Sequence, residues 1–326
     1  MKFFKSSIIA ASMVLSWSAF AETVKITNIG HGYYSGALYV AKREKLFEKY
    51  GLEPEISFVQ GGPLALQAAL TKQADVAVVS YEHILTAAVQ GKQVVAIFNI
   101  ANRPVNNVIA SDKLMAGSEK LSVEEKIKRL KGMRVAMPSA GGSGEKMLGV
   151  LAKKYGLTLP GDITSVYLGA EAPSYVAAFQ RDLIDAALPF EPAGVLVQQE
   201  GKGKIYLNMM NGEVPEVRDI LFMVLATHPD NIKEKPELLR KVAHAIGDAV
   251  KILKGDPKRG KALMALEYPT MAPATNDQAY DIVSQIWTKD GKISETQARA
   301  TFSYLQPSGP QEVNFPSTFT NDFLPK

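Results

Sequence analysis

The chain has 326 residues, 46% of them hydrophobic and 21% charged, with a formal net charge of +4. That is the composition of an ordinary globular chain, long enough at about 150 residues per domain for two lobes, and the charge is too small to imply a nucleic-acid partner. Cysteine is absent, which removes disulfides, Cys-ligated metal and a lipid-attachment cysteine.

In chain order, Lys2 and Lys5 form a positive start, Ile8 to Leu15 an apolar core, and Ala19-Phe20-Ala21 a small-x-small cleavage site. This is the pattern of a secretory signal peptide, residues 1–21, cut after Ala21 so that the mature chain begins at Glu22. A bilayer span needs about 20 consecutive apolar residues, and Ser12, Ser16 and Ser18 interrupt this shorter run. Together with the missing cysteine, this points to a free periplasmic protein.

Two stretches then read alike. Leu46-Phe47-Glu48-Lys49-Tyr50-Gly51-Leu52 and Leu151-Ala152-Lys153-Lys154-Tyr155-Gly156-Leu157 share five of seven residues. Each ends a helix at a glycine suited to a left-handed cap, and a β-type run follows at Ile56 to Val59 and at Ile163 to Leu168. Upstream lie short apolar strands at Val24 to Ile29 and Met133 to Met137, each entering a glycine-bearing loop. Downstream lie Ala74 to Ser80 and Leu183 to Pro189, runs of the kind that a parallel sheet buries on both faces. The chain therefore contains two copies of one βαβαβ unit.

The first lobe is expected over 22–104, with a further strand at Val94 to Phe98. A crossing at 105–111 leads to a second lobe, 112–219, whose last strand is Ile205 to Met209. A return crossing at 220–227 leads back to C-terminal helices, 228–326, assigned to the first lobe. Those helices are expected at Lys235 to Leu253, Lys258 to Leu266, Asn276 to Lys289 and Glu295 to Leu305, with an irregular tail from Pro310. The basic run Lys126 to Lys131 reads as a solvated helix face. Two crossings between lobes make a hinge, and ligands of open α/β sheets bind outside the carboxyl ends of the strands.

Ligand-binding candidates follow from that geometry. Tyr33, Tyr34 and Ser35 follow the first strand, Ser35 at a capping position and one of the two tyrosines expected to pack. Gly61 and Gly62 open the second helix and allow close approach of ligand to backbone. Ser80, Tyr81 and Glu82 end the third strand, and Phe190 and Glu191 hold the equivalent place in the second lobe. Gly142, Ser143 and Gly144 lead into a helix whose first N–H groups suit an oxyanion. Asn106 lies beside the first crossing, where it is equally apt as a hinge residue, and Arg103 is read as a surface residue. Each glycine has a competing explanation in turn geometry, and Glu191 one as a charge at a helix start.

Catalytic and metal sites are not expected. Gly144 is followed by Glu145-Lys146-Met147 rather than the Lys-Ser/Thr of a phosphate loop, and the second glycine of a nucleophile elbow is missing after Ser143-Gly144. His31, His83, His228 and His244 have no metal-ligand spacing; His31 is placed where it can reach the cleft, with a capping or surface role as the favoured reading. No cofactor is expected.

The order of Tyr39-Val40-Ala41-Lys42, Tyr50-Gly51-Leu52, Gly61-Gly62, Ala74-Asp75-Val76-Ala77, Leu130-Lys131-Gly132-Met133-Arg134-Val135-Ala136 and Phe190-Glu191-Pro192-Ala193 resembles the solute-binding proteins of ABC importers. The group in question serves nitrate, sulfonates, taurine and thiamine pyrimidine precursors. The resemblance implies a two-lobed α/β periplasmic-binding-protein fold of type II, each lobe a mostly parallel sheet flanked by helices. It further implies a monomer that closes on a small ligand and delivers it to an inner-membrane ABC permease. Facing helix N-termini suit a small anion, whereas Tyr33, Tyr34, Tyr81 and Phe190 suit a planar ring and Glu82 or Glu191 an amine. Alternatives are a sensing module for a membrane receptor and an enzyme like the fungal thiamine pyrimidine synthases. The latter depend on a Cys-rich motif with iron, which this chain lacks.

Overall fold

A computed structural model of the chain describes residues 21–305 and 312–325. Apart from Ala21, the segment read as a signal peptide lies outside them. Among the described residues no helix is long and apolar enough to cross a membrane.

Among the described residues ten strands form two sheets: β1 (Glu22–Asn28), β2 (Leu52–Phe58), β3 (Val76–Ser80), β4 (Val95–Ala101), β5 (Val108–Ser111), β6 (Arg134–Met137), β7 (Thr164–Tyr167), β8 (Ala186–Ala187), β9 (Gly203–Leu207) and β10 (Met223–Thr227). Their orders are β2-β1-β3-β10-β4 and β7-β6-β8-β5-β9. In each sheet one strand, β10 or β5, runs against the other four. The sheets are thus mixed, with the parallel majority that the repeated βαβαβ unit requires.

Each antiparallel strand is made by chain arriving from the other lobe. The runs read as crossings are extended and apolar because most of their residues are strands. Val108–Ser111 enters the second sheet and Met223–Thr227 enters the first. The segments left between the sheets are residues 102–107 and 208–222. They are tied to each other, since Arg103 donates to the Met210 carbonyl at 3.3 Å and the Met210 amide donates to Asn107 Oδ1 at 3.1 Å. Arg103 is therefore a link between the two connections rather than a free surface residue.

The helices of the first half are α1 (Gly36–Arg43), α2 (Leu46–Lys49), α3 (Gly62–Leu70), α4 (Tyr81–Val89), α5 (Asp112–Met115) and α6 (Val123–Lys128). Those of the second are α7 (Ser143–Lys154), α8 (Ala172–Gln180), α9 (Ala193–Glu200), α10 (Pro229–Glu234), α11 (Pro236–Gly255), α12 (Pro257–Ala265), α13 (Pro273–Ser284) and α14 (Glu295–Leu305). Ser122 starts α6 through a complete capping box with Glu125, the arrangement that supplies partners to orphan N–H groups. In α11, Pro236 occupies the first turn, where its missing N–H costs nothing. Leu239, Val242, Ile246, Ala249 and Leu253 are buried at three- and four-residue spacing, and they pack with β4 and α1 in the largest core cluster.

Three local expectations need correction. The strand over Leu183 to Pro189 shrinks to Ala186–Ala187, because Pro189 has no N–H for the ladder and Asp185 turns its carboxylate to the Arg134 amide at 2.9 Å. Asn276 to Lys289 is helical only within Pro273–Ser284, and Trp287 bridges to Ala101. The tail is not irregular throughout: Ala96 donates to the Thr318 carbonyl and Thr320 donates back to the Ala96 carbonyl, both at 2.9 Å. It thereby covers the edge of β4, which would otherwise present unpaired backbone groups.

Candidate functional site

The carboxyl ends of β1 and β2 face those of β6 and β7 across the gap between the sheets. There they enclose a cavity of about 330 Å³ lined by Ile29, Gly30, His31, Phe58, Val59, Gln60 and Gly61 on one side and Pro138, Leu168, Gly169, Ala170 and Glu171 on the other. The His31 and Phe58 rings stack at 4.1 Å. N-terminal ends of α3 and α8, after Gly61 and Glu171, border the space. No Lys or Arg lines it.

Three glycines of the lining, Gly30, Gly61 and Gly169, have positive φ, and Gly61 is the one whose Cβ would also meet a side chain of the opposite lobe at under 3 Å. Its φ of +93° suits glycine, and a Cβ would fall 2.3 Å from Ser139 Oγ of the opposite lobe. A side chain at this place would press on Ser139 across the gap between the lobes.

A polar seam adjoins the cavity. Ser80 Oγ and Ser143 Oγ are 2.6 Å apart, and Lys146 Nζ reaches His83 Nδ1 at 3.0 Å. Glu82 is buried, with Oε1 unpartnered and 3.7 Å from His83 Nε2. Burial pushes its carboxyl above the usual range, opposed by Lys146 and Ser143. Gly62 lies under the His83 ring, so a Cβ there would collide with it. Gly142 is the N-cap of α7 without a side-chain cap bond, and Gly144 packs against Leu188.

The aromatic candidates are packed rather than presented. Tyr33 and Tyr34 are both buried, not one of them alone. Tyr33 donates to Asn276 Oδ1 and stacks on Tyr268 at 4.8 Å. Tyr34 donates to the Gly30 carbonyl at 3.1 Å and tilts against Phe190 at 4.8 Å. Ser35 stands at the start of α1 but makes no cap bond there; its hydroxyl donates to Asn28 Oδ1 at 3.1 Å. Tyr81 is 2.5 Å from Thr318 Oγ1 in the C-terminal tail and belongs to the core beneath that tail.

Glu191 is buried and accepts from the Val195 amide at 3.0 Å, so it serves the start of α9. Burial raises its carboxyl to about 7 against the pull of the Val195 and Gly194 amides. Its carbonyl accepts from Tyr33 N at 2.9 Å across the lobes. Asn106 donates to the Leu188 and Pro189 carbonyls at 3.0 and 2.9 Å, which leaves Oδ1 unpartnered.

Of the residues expected from sequence, Gly61 lines the cavity, and Ser80, Glu82 and Ser143 form the seam. Sequence reasoning missed Phe58, Gln60, Ser139 and Leu168 to Glu171; for His31 it favoured a cap or surface role over the cleft position, and the cavity lining includes it. A large aromatic at the end of a parallel strand, followed by a glycine pair, was the available signal for Phe58. A larger apolar groove of about 540 Å³ lies between α4, α7 and α14. It touches no strand end, so the smaller cavity is the better site on the strand-end rule.

Two lobes of this topology joined by two connections define a periplasmic binding protein fold, and solved structures bear this out. A Bordetella bronchiseptica RB50 protein superposes with TM-score 0.79 at 23% identity, over 92% of this chain and 95% of that one. The alkanesulfonate-binding protein SsuA from Xanthomonas axonopodis pv. citri, bound to MOPS, gives 0.69 at 17% identity, over 91% and 98%. The periplasmic nitrate-binding protein NrtA from Synechocystis PCC 6803 gives 0.61 at 14%, over 78% and 69%. No curated protein matches the chain. Residues 33–260 match the family described as NMT1/THI5 like, and the chain belongs to that family.

Proposed function

We propose that this protein is the exported solute-binding component of an ABC importer, which captures a small ligand between its lobes and delivers it to a membrane permease. The observation that carries this reading is the cavity at the strand ends, built from loops of both sheets. Contacts from both lobes give a ligand different affinities for open and closed arrangements, which is what shifting that equilibrium requires. The His31–Phe58 stack supports a planar ring, and the starts of α3 and α8 support an anionic group. A small organic anion or planar heterocycle fits these features. The sulfonate and nitrate binders of the same fold lend weight to the anionic end. A binding role rather than catalysis accords with the absence of the Cys-rich motif.

The test is thermal unfolding of the refolded, ligand-stripped mature protein against taurine, alkanesulfonates, nitrate, aromatic carboxylates and aminopyrimidines. A ligand at 100 times its Kd adds about 2.7 kcal/mol, a shift of a few degrees for a protein of this size. Stabilisation lost on Phe58→Ala supports the cavity as the site. No shift with any compound counts against the reading.

A further inference from the structure

We propose that His83 and Lys146 are positioning residues, a latch that holds the two lobes together only while the imidazole is neutral. The proposal rests on the reading of the lobes as hinged and deepens it.

Two bonds cross from lobe to lobe in matched register. Ser80 and His83 are three residues apart at the start of α4, and Ser143 and Lys146 are three apart at the start of α7, so each pair lies on one helix face. The Ser80–Ser143 and His83–Lys146 contacts, at 2.6 and 3.0 Å, are thus successive rungs. The imidazole is seated on bare backbone, since a Cβ on Gly62 would lie 2.1 Å from its Nε2.

An ammonium group only donates, so Nδ1 of His83 accepts and the ring carries its proton on Nε2, facing Glu82 Oε1. A second proton on the ring would remove Lys146's acceptor and set two cations side by side. The charged groups around the ring are Lys146 from α7, Glu82 from its own helix and Lys92, which lines the same pocket just after α4, with the Gly62 backbone of α3 against the ring. The Tyr304 hydroxyl of α14 lies near Glu82.

Burial, then Lys146, holds His83 down from 6.5 to about 3 in this arrangement. Parting the lobes exposes the ring to water and returns it toward its ordinary value. The closed form therefore binds fewer protons between those two values. Its population relative to the open form falls as the pH drops below 6.5, by at most about tenfold per pH unit, and is insensitive to this group above 6.5. Glu82, pushed the other way by burial, opposes this at its own titration, so a variant at His83 is needed to isolate the effect.

Because the chain has no cysteine, Gln93→Cys and Lys153→Cys place a single pair of spin labels on opposite lobes. The expected result for the otherwise unchanged protein is a short distance at pH 8 and a growing longer component below pH 6.5. His83→Asn, which keeps an acceptor near Nδ1 but does not titrate, keeps the short distance down to pH 5. Lys146→Met shows the longer component throughout. Identical pH profiles in all three folded proteins, with lobes that still respond to taurine, nitrate or aminopyrimidine, would overturn the latch alone. One fixed distance under every condition, probes included, would overturn the hinged reading beneath it.

Discussion

The two lobes are built to one plan and finished differently. Each holds a βαβαβ unit, an antiparallel strand donated by arriving chain, and an outer strand beside it. The plan extends to single side chains: Asp75, before β3, accepts from the Lys25 amide of β1, and Asp185, before β8, accepts from the Arg134 amide of β6, both at 2.9 Å. What differs is the cover. Every residue of β4 is buried under α11 and the C-terminal segment, whereas β9 has exposed and half-buried positions. The repeated unit specifies the sheets, and the non-repeated C-terminal third makes the first lobe the more deeply packed one.

That asymmetry predicts unequal costs for similar truncations. Phe98 of β4 is buried, with Gly291 and Gly247 against its ring. Phe98→Ala is expected to cost about 3–5 kcal/mol in denaturant unfolding, while Ile205→Ala in half-buried β9 costs under about 2 kcal/mol. Equal losses would erase the distinction.

The two strand-end carboxylates offer a second contrast. Glu191 has a backbone partner and is raised to about 7 by burial; Glu82 is raised by burial with one oxygen unpartnered. For Glu191 the folded form binds more protons than the unfolded one between pH 4.5 and about 7. Its contribution to stability is thus present at low pH and lost as the pH rises through that window. Glu191→Gln retains an acceptor for Val195 and should be more stable than the parent at pH 8, by up to roughly 3 kcal/mol, with a flatter melting profile from pH 4.5 to 7. An unchanged profile would mean that the carboxylate is better solvated than its burial implies.

The smallest effects concern the loops after β2 and β7. Gly61 and Gly169 both have positive φ, but a Cβ on Gly61 meets Ser139 of the other lobe while one on Gly169 meets nothing within 4 Å. Either change to Ala should cost about 1–2 kcal/mol of stability through backbone strain. Only Gly61→Ala should also weaken ligand binding, on the order of tenfold, measured by titration calorimetry at matched folded fraction. Equal binding by both variants would show that the lobes need not approach at Ser139.

Much of this plan was legible in the sequence, because period, cap glycines and apolar strands are local signals and occur twice. The crossings were legible as extended chain, but not as strands, since nothing local says which sheet an apolar run will join. The tail's pairing with Ala96 was hidden for the same reason. At the site, glycines and strand-end hydroxyls were found because turn chemistry reveals them. Tyr33, Tyr34 and Tyr81 misled because an aromatic at a strand end serves equally well as core, and only the positions of Tyr268, Phe190 and Thr318 decide between the two. Phe58 was missed, and His31 given a cap or surface role ahead of the cleft, because their pairing joins two loops distant in sequence.

The most direct test of the account is a crystal structure with whichever panel compound stabilises the protein. The expected result is that compound held between the His31–Phe58 side and the Leu168–Glu171 side, touching both lobes, with Gly61 close to Ser139. A compound bound by one lobe alone, or in the groove between α4, α7 and α14, would contradict capture between the lobes.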